Sequence, residues 1–451
     1  MWSTVLVLSE SRIHGTILRL AWPAIVESLL QLLVYLVGSI MVGPLGTTAF
    51  AAVGQASMLA TYLLFPFWSI GTASAALVSR HIGGQDMVSA RACAAQGMLL
   101  ALVFGVFFTI VGICWSHEIL LLIGTEPEVA ALGAQYLEIL LGFSLFQSLR
   151  VVGSSILRSV GDTRTPMWAT GVMNLVNLAA CYVFVYGWGP FPRLEVAGVA
   201  LASGLSFVVS LYIVLRKMGN RHEDFFLPLR DLFRPAVPEF FATLRLAAPN
   251  MAEMVLQRAG GLTYLWVVTG LGTTALAAHY MAVRVESIAF MPAFGLSMAV
   301  PPLVGQALGA MNPNLADLAV RRTVMMGFWS MNLLAVGFLA VPGLLVGMFS
   351  PEPEVYKLSS LVVQISAFEL TCVTLYMIYG SAMRGAGDTV SPMIVTFIGA
   401  ILVRIGLVYT LAVTLDLGLP GVWIGTVVHW ALRALAAYLL FRRGRWRTVR
   451  V

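Results

Sequence analysis

Glu27 and Gln31 stand four residues apart, and so do Glu253 and Gln257. Each pair follows a proline, Pro23 or Pro249, with Glu four positions later. On a helix this spacing puts Glu and Gln on one face. Tyr35 extends the polar stripe after the first pair, and Tyr264 after the second. The surrounding residues are apolar, and a carboxylate at membrane depth is paired, neutral or facing water. A carboxylate that trades between those states is what a proton-coupled or cation-binding site needs. The competing reading is a static ion pair, with Glu253 held by Arg258 or Arg284.

Other polar residues inside apolar stretches are unevenly spread. The first half has Glu27, Glu138 and Arg150; the second has Glu253, Arg258, Arg284, Glu286, Glu369, Arg404 and Arg433. His279 and His429 also belong to the second half. The candidate ion-coupling set is therefore Glu253, Gln257, Arg284, Glu286 and Glu369, with Glu27 as the first-half counterpart. Gln31, Tyr35, Asn174, Asn177, Tyr264 and His279 are candidates for touching substrate. Asn174 and Asn177 serve equally as bonds between helices. No Gly-rich phosphate loop, HExxH pair or GxSxG elbow appears, so an enzyme is not expected. Cys93, Cys114, Cys181 and Cys372 lack metal-ligand spacing and read as small core residues.

The elements that must position these groups follow from composition. Of 451 residues, 59% are hydrophobic and 11% charged; the mean hydropathy is +0.88. Soluble domains carry about 25% charged residues, so this chain cannot cover a soluble surface. It reads as an all-α polytopic membrane protein. Apolar windows fall at 17–42, 48–77, 93–114, 131–155, 167–188 and 196–215, then at 246–270, 275–303, 324–347, 358–381, 393–414 and 421–441. These make twelve spans. The N-terminus lacks the pattern of a cleavable signal. With both termini in the cytoplasm, Arg12, Arg19, Arg80, Arg91, Arg158, Arg164, the basic central loop and the Arg-rich tail all fall on the cytoplasmic side, against Arg193 and Lys357 outside. That is the expected positive-inside bias, and it accounts for the net charge of +6.

The two halves repeat at a constant offset of 226 residues. Leu18-Arg-Leu-Ala-Trp-Pro23 with Glu27 recurs as Leu244-Arg-Leu-Ala-Ala-Pro249 with Glu253. Leu45-Gly-Thr-Thr-Ala49 recurs at Leu271, and Glu126-Pro-Glu-Val129 at Glu352. Arg158 with Gly161-Asp162-Thr163 and Pro166 recurs as Arg384 with Gly387-Asp388-Thr389 and Pro392. Six spans per unit keep both repeats in the same orientation. The expected organisation is a first six-helix lobe (1–220), a cytoplasmic linker (221–243) and a second lobe (244–451), facing each other across a central cleft. Alternating access is the mechanism such a pair suggests. In the short loops, Asp162 and Asp388 suit helix caps, and Arg158 and Arg384 suit the last carbonyls of the preceding helix. Pro23 and Pro249, like Pro66 and Pro292, are either static kinks or bending points.

In these features the chain resembles the multidrug and toxic compound extrusion (MATE) transporters over nearly its whole length. The resemblance rests on the early prolines, the Gly-Asp-Thr-x-x-Pro loops, Val304-Gly-Gln306-Ala-Leu-Gly309 and Arg384-Gly-Ala-Gly-Asp-Thr389. It implies two six-helix lobes in a V and export of organic cations or related amphiphiles, driven by inward H⁺ or Na⁺. No cofactor beyond that ion is implied. A prokaryotic inner membrane, a monomer, small-molecule and lipid partners and no nucleic acid complete the expectation. Glu253 matches a span-seven Glu of the family. Gly38 and Cys181 stand where many members carry acids, which points coupling to the second lobe. A rival reading is a flippase for lipid-linked oligosaccharides, which would use Arg258, Arg284 and Arg404 for pyrophosphate. A membrane enzyme or receptor-like module lacks a catalytic constellation.

Overall fold

A computed structural model describes residues 12–449, except 189–190, 224, 235 and 350–351 and the side chains at 35, 36, 229 and 233. The described residues form helices and no strand. In chain order the helices are α1 (Ile13–Val42), α2 (Thr47–Leu63), α3 (Phe65–Gly83), α4 (Met87–Leu122), α5 (Pro127–Gly142), α6 (Ser144–Ser159), α7 (Arg164–Tyr186) and α8 (Glu195–Met218). They continue as α9 (Val237–Gly270), α10 (Thr273–Gly309), α11 (Pro313–Ala340), α12 (Pro342–Gly347), α13 (Pro353–Gly385), α14 (Val390–Thr396), α15 (Arg404–Tyr409) and α16 (Gly418–Arg442).

Among the described residues, ten continuous stretches are long and apolar enough to cross a bilayer. The α5–α6 pair, bent by 51° at Phe143, supplies an eleventh. The twelfth is α9, 34 residues long, whose apolar run is interrupted by Glu253, Gln257 and Arg258. Their outward surfaces carry large apolar side chains such as Leu175, Trp266, Trp329 and Leu333, as lipid contact requires.

The two prolines expected to act alike, Pro66 and Pro292, do not. Pro66 opens α3 after a break at Leu64, where a missing N–H costs nothing. Pro292 stays inside α10, together with Pro301 and Pro302. Pro23 and Pro249 are likewise inside α1 and α9.

The chain divides into two compact units. The first holds Val26–Ala247. Within it α4 packs on α3, α5 and α6, α7 on α8, and α2 on α5. The stretch expected as a tether, 221–243, packs onto this unit. Phe225, Leu227 and Leu232 are buried against the α4 core, and Gln96 donates to the carbonyl of Arg234 at 2.8 Å. The second unit holds Ala248–Val451 with the opening of α1 as far as Ile25. Gly295 explains that grouping, since a Cβ there would lie 2.8 Å from the Ile25 nitrogen. Within this unit α13 packs on α10, α11 and α16. Between α14 and α16 the backbone twice relaxes into π-helix, at Phe397–Val403 and Thr410–Thr414. Such bulges widen a turn and often mark functional sites.

Candidate functional site

Each unit builds the same ion pair. In the first, Arg158 at the end of α6 donates Nη1 to both oxygens of Glu27, at 3.0 Å each, and Nη2 to Ser155 at 3.0 Å. In the second, Arg384 at the end of α13 donates Nη1 to both oxygens of Glu253, at 3.1 Å each, and Nη2 to Ser381 at 3.2 Å. The two arginines therefore do not serve the final carbonyls of their helices. A carboxylate partner gives the stronger, charge-assisted bond. Neither does Glu253 pair with Arg258 or Arg284, whose side chains are exposed. Arg258 is five residues from Glu253, about 140° around the helix.

The Gly-Asp-Thr loops bring those arginines to position. Gly161 and Gly387 take φ of +95° and +92°, a conformation that side chains resist. Asp162 then accepts from the Thr165 amide at 3.0 Å and its hydroxyl at 2.6 Å. Asp388 does the same with Ser391, at 3.0 and 2.6 Å. These bonds tie down the first turns of α7 and α14.

Beyond the shared pair the units diverge. Glu27 gains only a 3.4 Å bond from Gln31. Glu253 also accepts from the Tyr376 hydroxyl at 2.7 Å and from Thr396 at 3.2 Å. A second arginine, Arg433, donates to Gln257 at 2.7 Å and to Thr396 at 2.8 Å. Its guanidinium lies over the Tyr376 and Trp430 rings at 4.0 and 4.4 Å. Gly399, in the first π stretch, leaves room for the Arg433 stem that a Cβ would fill.

A neighbouring group in the second unit centres on Arg404, stacked 3.9 Å from the Tyr264 ring. Tyr264 shares a 2.8 Å hydrogen bond with His279 Nε2. Glu286 is buried with Oε1 lacking a hydrogen-bond partner, and so is Glu369 with Oε2. Arg284 points away from Glu286, two residues along the same helix, and is exposed.

The first unit holds a half-open cavity of about 400 Å³. Gln31, Gly38, Ser57, Trp68, Arg150 and Phe207 are among its walls. Of the substrate candidates, Gln31 lines it, whereas Asn174 and Asn177 bond to Leu30 and Ser203 and hold helices together. The Tyr35 side chain lies outside the described residues. Tyr264 and His279 belong to the second unit.

Tyr376 and Thr396 carry no signal in their local spacing; Arg433 and Arg150 stand out in the sequence as charges within apolar stretches, without a partner or a place assigned to them. The repeat carries a signal for them. Tyr376 and Arg433 stand 226 residues after Arg150 and Phe207. Arg433 stacks on Tyr376, and Arg150 lies 5.8 Å from the Phe207 ring. The cation and the ring have exchanged places between repeats.

The family model MatE matches residues 23–183 and 249–410, one match per repeat. The chain belongs to the MatE family. A probable multidrug resistance protein NorM of Rhizobium meliloti is 31% identical, over 93% of this chain and 91% of its own. One from Thermotoga maritima is 28% identical, over 96% and 93%. Among solved structures, an outward-facing multidrug resistance MATE transporter of the MOP superfamily superposes with a TM-score of 0.90 at 23% identity, covering 99% of both chains. As a MatE protein the chain is an integral membrane transporter and not an enzyme. The all-helical fold, with twelve spans in two repeated units, is the one it shares with these structures.

Proposed function

We propose that the protein exports amphiphilic small molecules by alternating access, driven by an inward ion gradient through the second unit. Its relatives' names as multidrug resistance proteins support drug-like substrates over lipid-linked oligosaccharides. The observation that carries the coupling is the difference between Glu27 and Glu253. Both have an arginine, which makes the pair a shared skeleton. Only Glu253 has two hydroxyls and a second guanidinium on the same network.

That network can change partners. A proton on Glu253 removes the charge that holds Arg384, and Tyr376 and Thr396 can turn their hydroxyls to the freed positions. H⁺ fits this better than Na⁺, because two guanidiniums already occupy the oxygen atoms a hard cation would take. Protonation favours one opening only if the two conformations bind the proton with different affinity. The reading includes the prokaryotic inner membrane, a monomer and both termini in the cytoplasm, which the placement of arginines supports.

The test is efflux of a fluorescent drug from proteoliposomes under an imposed pH gradient, then under a Na⁺ gradient. The pH gradient is expected to drive flux. Flux under neither gradient would end the antiporter reading, and flux under Na⁺ alone would end the proton assignment.

A further inference from the structure

Beyond α16 the chain carries a compact basic turn. On α16 itself, Ile424, Val428, Leu432, Leu435 and Leu439 expose large apolar side chains, and Arg442 continues their spacing. At about 100° per residue these six fall within an arc of about 80°. Arg433 stands on the opposite side of the helix and is buried, so the apolar stripe is the face that lipid covers. From Ile424 to Arg442 the helix rises about 27 Å, close to the roughly 30 Å of a hydrocarbon core. Arg442 therefore stands where the apolar face ends, at the level of the lipid head groups, and Arg443 follows it directly.

The residues that follow do not trail into water. Gly444 takes a φ of +75° and turns the chain back. Trp446 is then 1% exposed. Its ring stacks on Phe441 with centroids 4.7 Å apart. Its Nε1 donates to the Phe441 carbonyl at 2.8 Å, one of the acceptors that a helix end leaves open. Phe441 rests in turn against the Tyr379 ring of α13 at 5.2 Å, and Arg447 reaches Asp317 of α11 at 3.5 Å. The turn Arg445–Thr448 is thus fastened to α11, α13 and α16, while Arg442, Arg443 and Arg445 are exposed around it. No acidic residue follows Asp416 in the sequence. Asp317 is committed to Arg321 at 2.7 Å and to Arg447, so nothing within the turn neutralises the other three arginines.

Arginine clusters just beyond a membrane helix attract anionic lipids, and the planar guanidinium fork matches two oxygens of a phosphate. A loose tail would lose chain freedom on binding. Here the backbone is already fixed by Trp446 and Asp317, which lowers that cost. We infer that the turn at the end of α16 is a binding site for an anionic phospholipid, with Arg442, Arg443 and Arg445 receiving its phosphate and Leu435 and Leu439 meeting its acyl chains. The inference does not rest on the export reading, since lipid binding needs neither substrate nor gradient.

Native mass spectrometry of the full-length protein in detergent provides the test, counting bound lipid as phosphatidylglycerol or phosphatidylcholine is added. The first phosphatidylglycerol is expected to bind at least about tenfold more tightly than phosphatidylcholine. Arg442→Gln, Arg443→Gln and Arg445→Gln combined are expected to abolish that preference. Removing as many charges from the 221–243 stretch, by Arg221→Gln, Arg230→Gln and Arg234→Gln, should alter it by less than about twofold. Trp446→Ala keeps every arginine but frees the turn, and should weaken phosphatidylglycerol by at least about threefold. An unchanged preference in the tail variant, or an equal loss in the 221–243 variant, would overturn the assignment. Phosphatidylglycerol binding unaltered in a folded Trp446→Ala protein would refute the role of the fixed turn, and the exposed arginines keep the test decisive if that variant misfolds. Displacement of the lipid by inorganic phosphate at matched concentration would assign the site to a free anion and overturn the lipid.

Discussion

Removing one arginine from each repeat should not cost the two units equally. Glu27 is 2% exposed, and without Arg158 its remaining side-chain donor is Gln31 at 3.4 Å. Breaking a buried pair by deleting one partner costs about 3–5 kcal/mol, because the other charge is left uncompensated. Glu253 without Arg384 keeps the Tyr376 hydroxyl at 2.7 Å and Thr396 at 3.2 Å. Hydrogen bonds to a charged group contribute about 1.5–3 kcal/mol each, so much of the loss there is offset. In a unit of this size about 1 kcal/mol lowers Tm by roughly 2–4 °C. Arg158→Gln should therefore lower Tm by about 6–20 °C, and Arg384→Gln by roughly half as much or less. Restoring neutrality with Glu27→Gln on Arg158→Gln should recover most of the loss. Thermal melts in detergent, followed by tryptophan fluorescence, read all of these. Equal losses for the two arginines, or a double variant no better than Arg158→Gln alone, would refute the reasoning.

Other outcomes follow from single contacts. Tyr376→Phe removes one donor to Glu253 and should shift the midpoint of pH-driven flux while leaving protein yield unchanged; an unaltered pH profile would exclude Tyr376 from coupling. Gly161→Ala and Gly387→Ala each force a side chain into left-handed backbone at about 1–2 kcal/mol, so each should lower Tm by several degrees in melts of the same preparation. A cysteine at Thr448 should react with a membrane-impermeant maleimide in inside-out vesicles and not in intact cells, which reports the C-terminus as cytoplasmic.

The repeat made much of this fold legible. One offset of 226 residues relates both ion-pair acids, both arginines and both capping aspartates. It could not say that Glu27 meets Arg158. Helix periodicity reports which residues share a face, while contacts between helices 131 residues apart depend on packing. The partner of Glu253 is Arg384 and not the sequence neighbour Arg258, which five residues place about 140° around the helix. Pro66 and Pro292 occupy equivalent positions, yet Pro66 begins a helix after a break at Leu64 and Pro292 lies within one. The linker looked like a polar tether by charge, but its apolar members Phe225, Leu227 and Leu232 dock it on α4. The uneven distribution of charge pointed to the second unit, and the Glu253 network lies there. The cavity wall around Arg150 was not legible, since it draws on side chains from seven helices.

The claim that coupling resides in the second unit is tested most directly by two substitutions under one gradient. Glu253→Gln and Glu27→Gln would be reconstituted at equal protein, and efflux driven by a pH gradient measured beside downhill movement of the same drug. Glu253→Gln should abolish the response to the gradient and retain downhill movement, while Glu27→Gln keeps its gradient response. Gradient-driven export by Glu253→Gln at the parental rate would contradict the account.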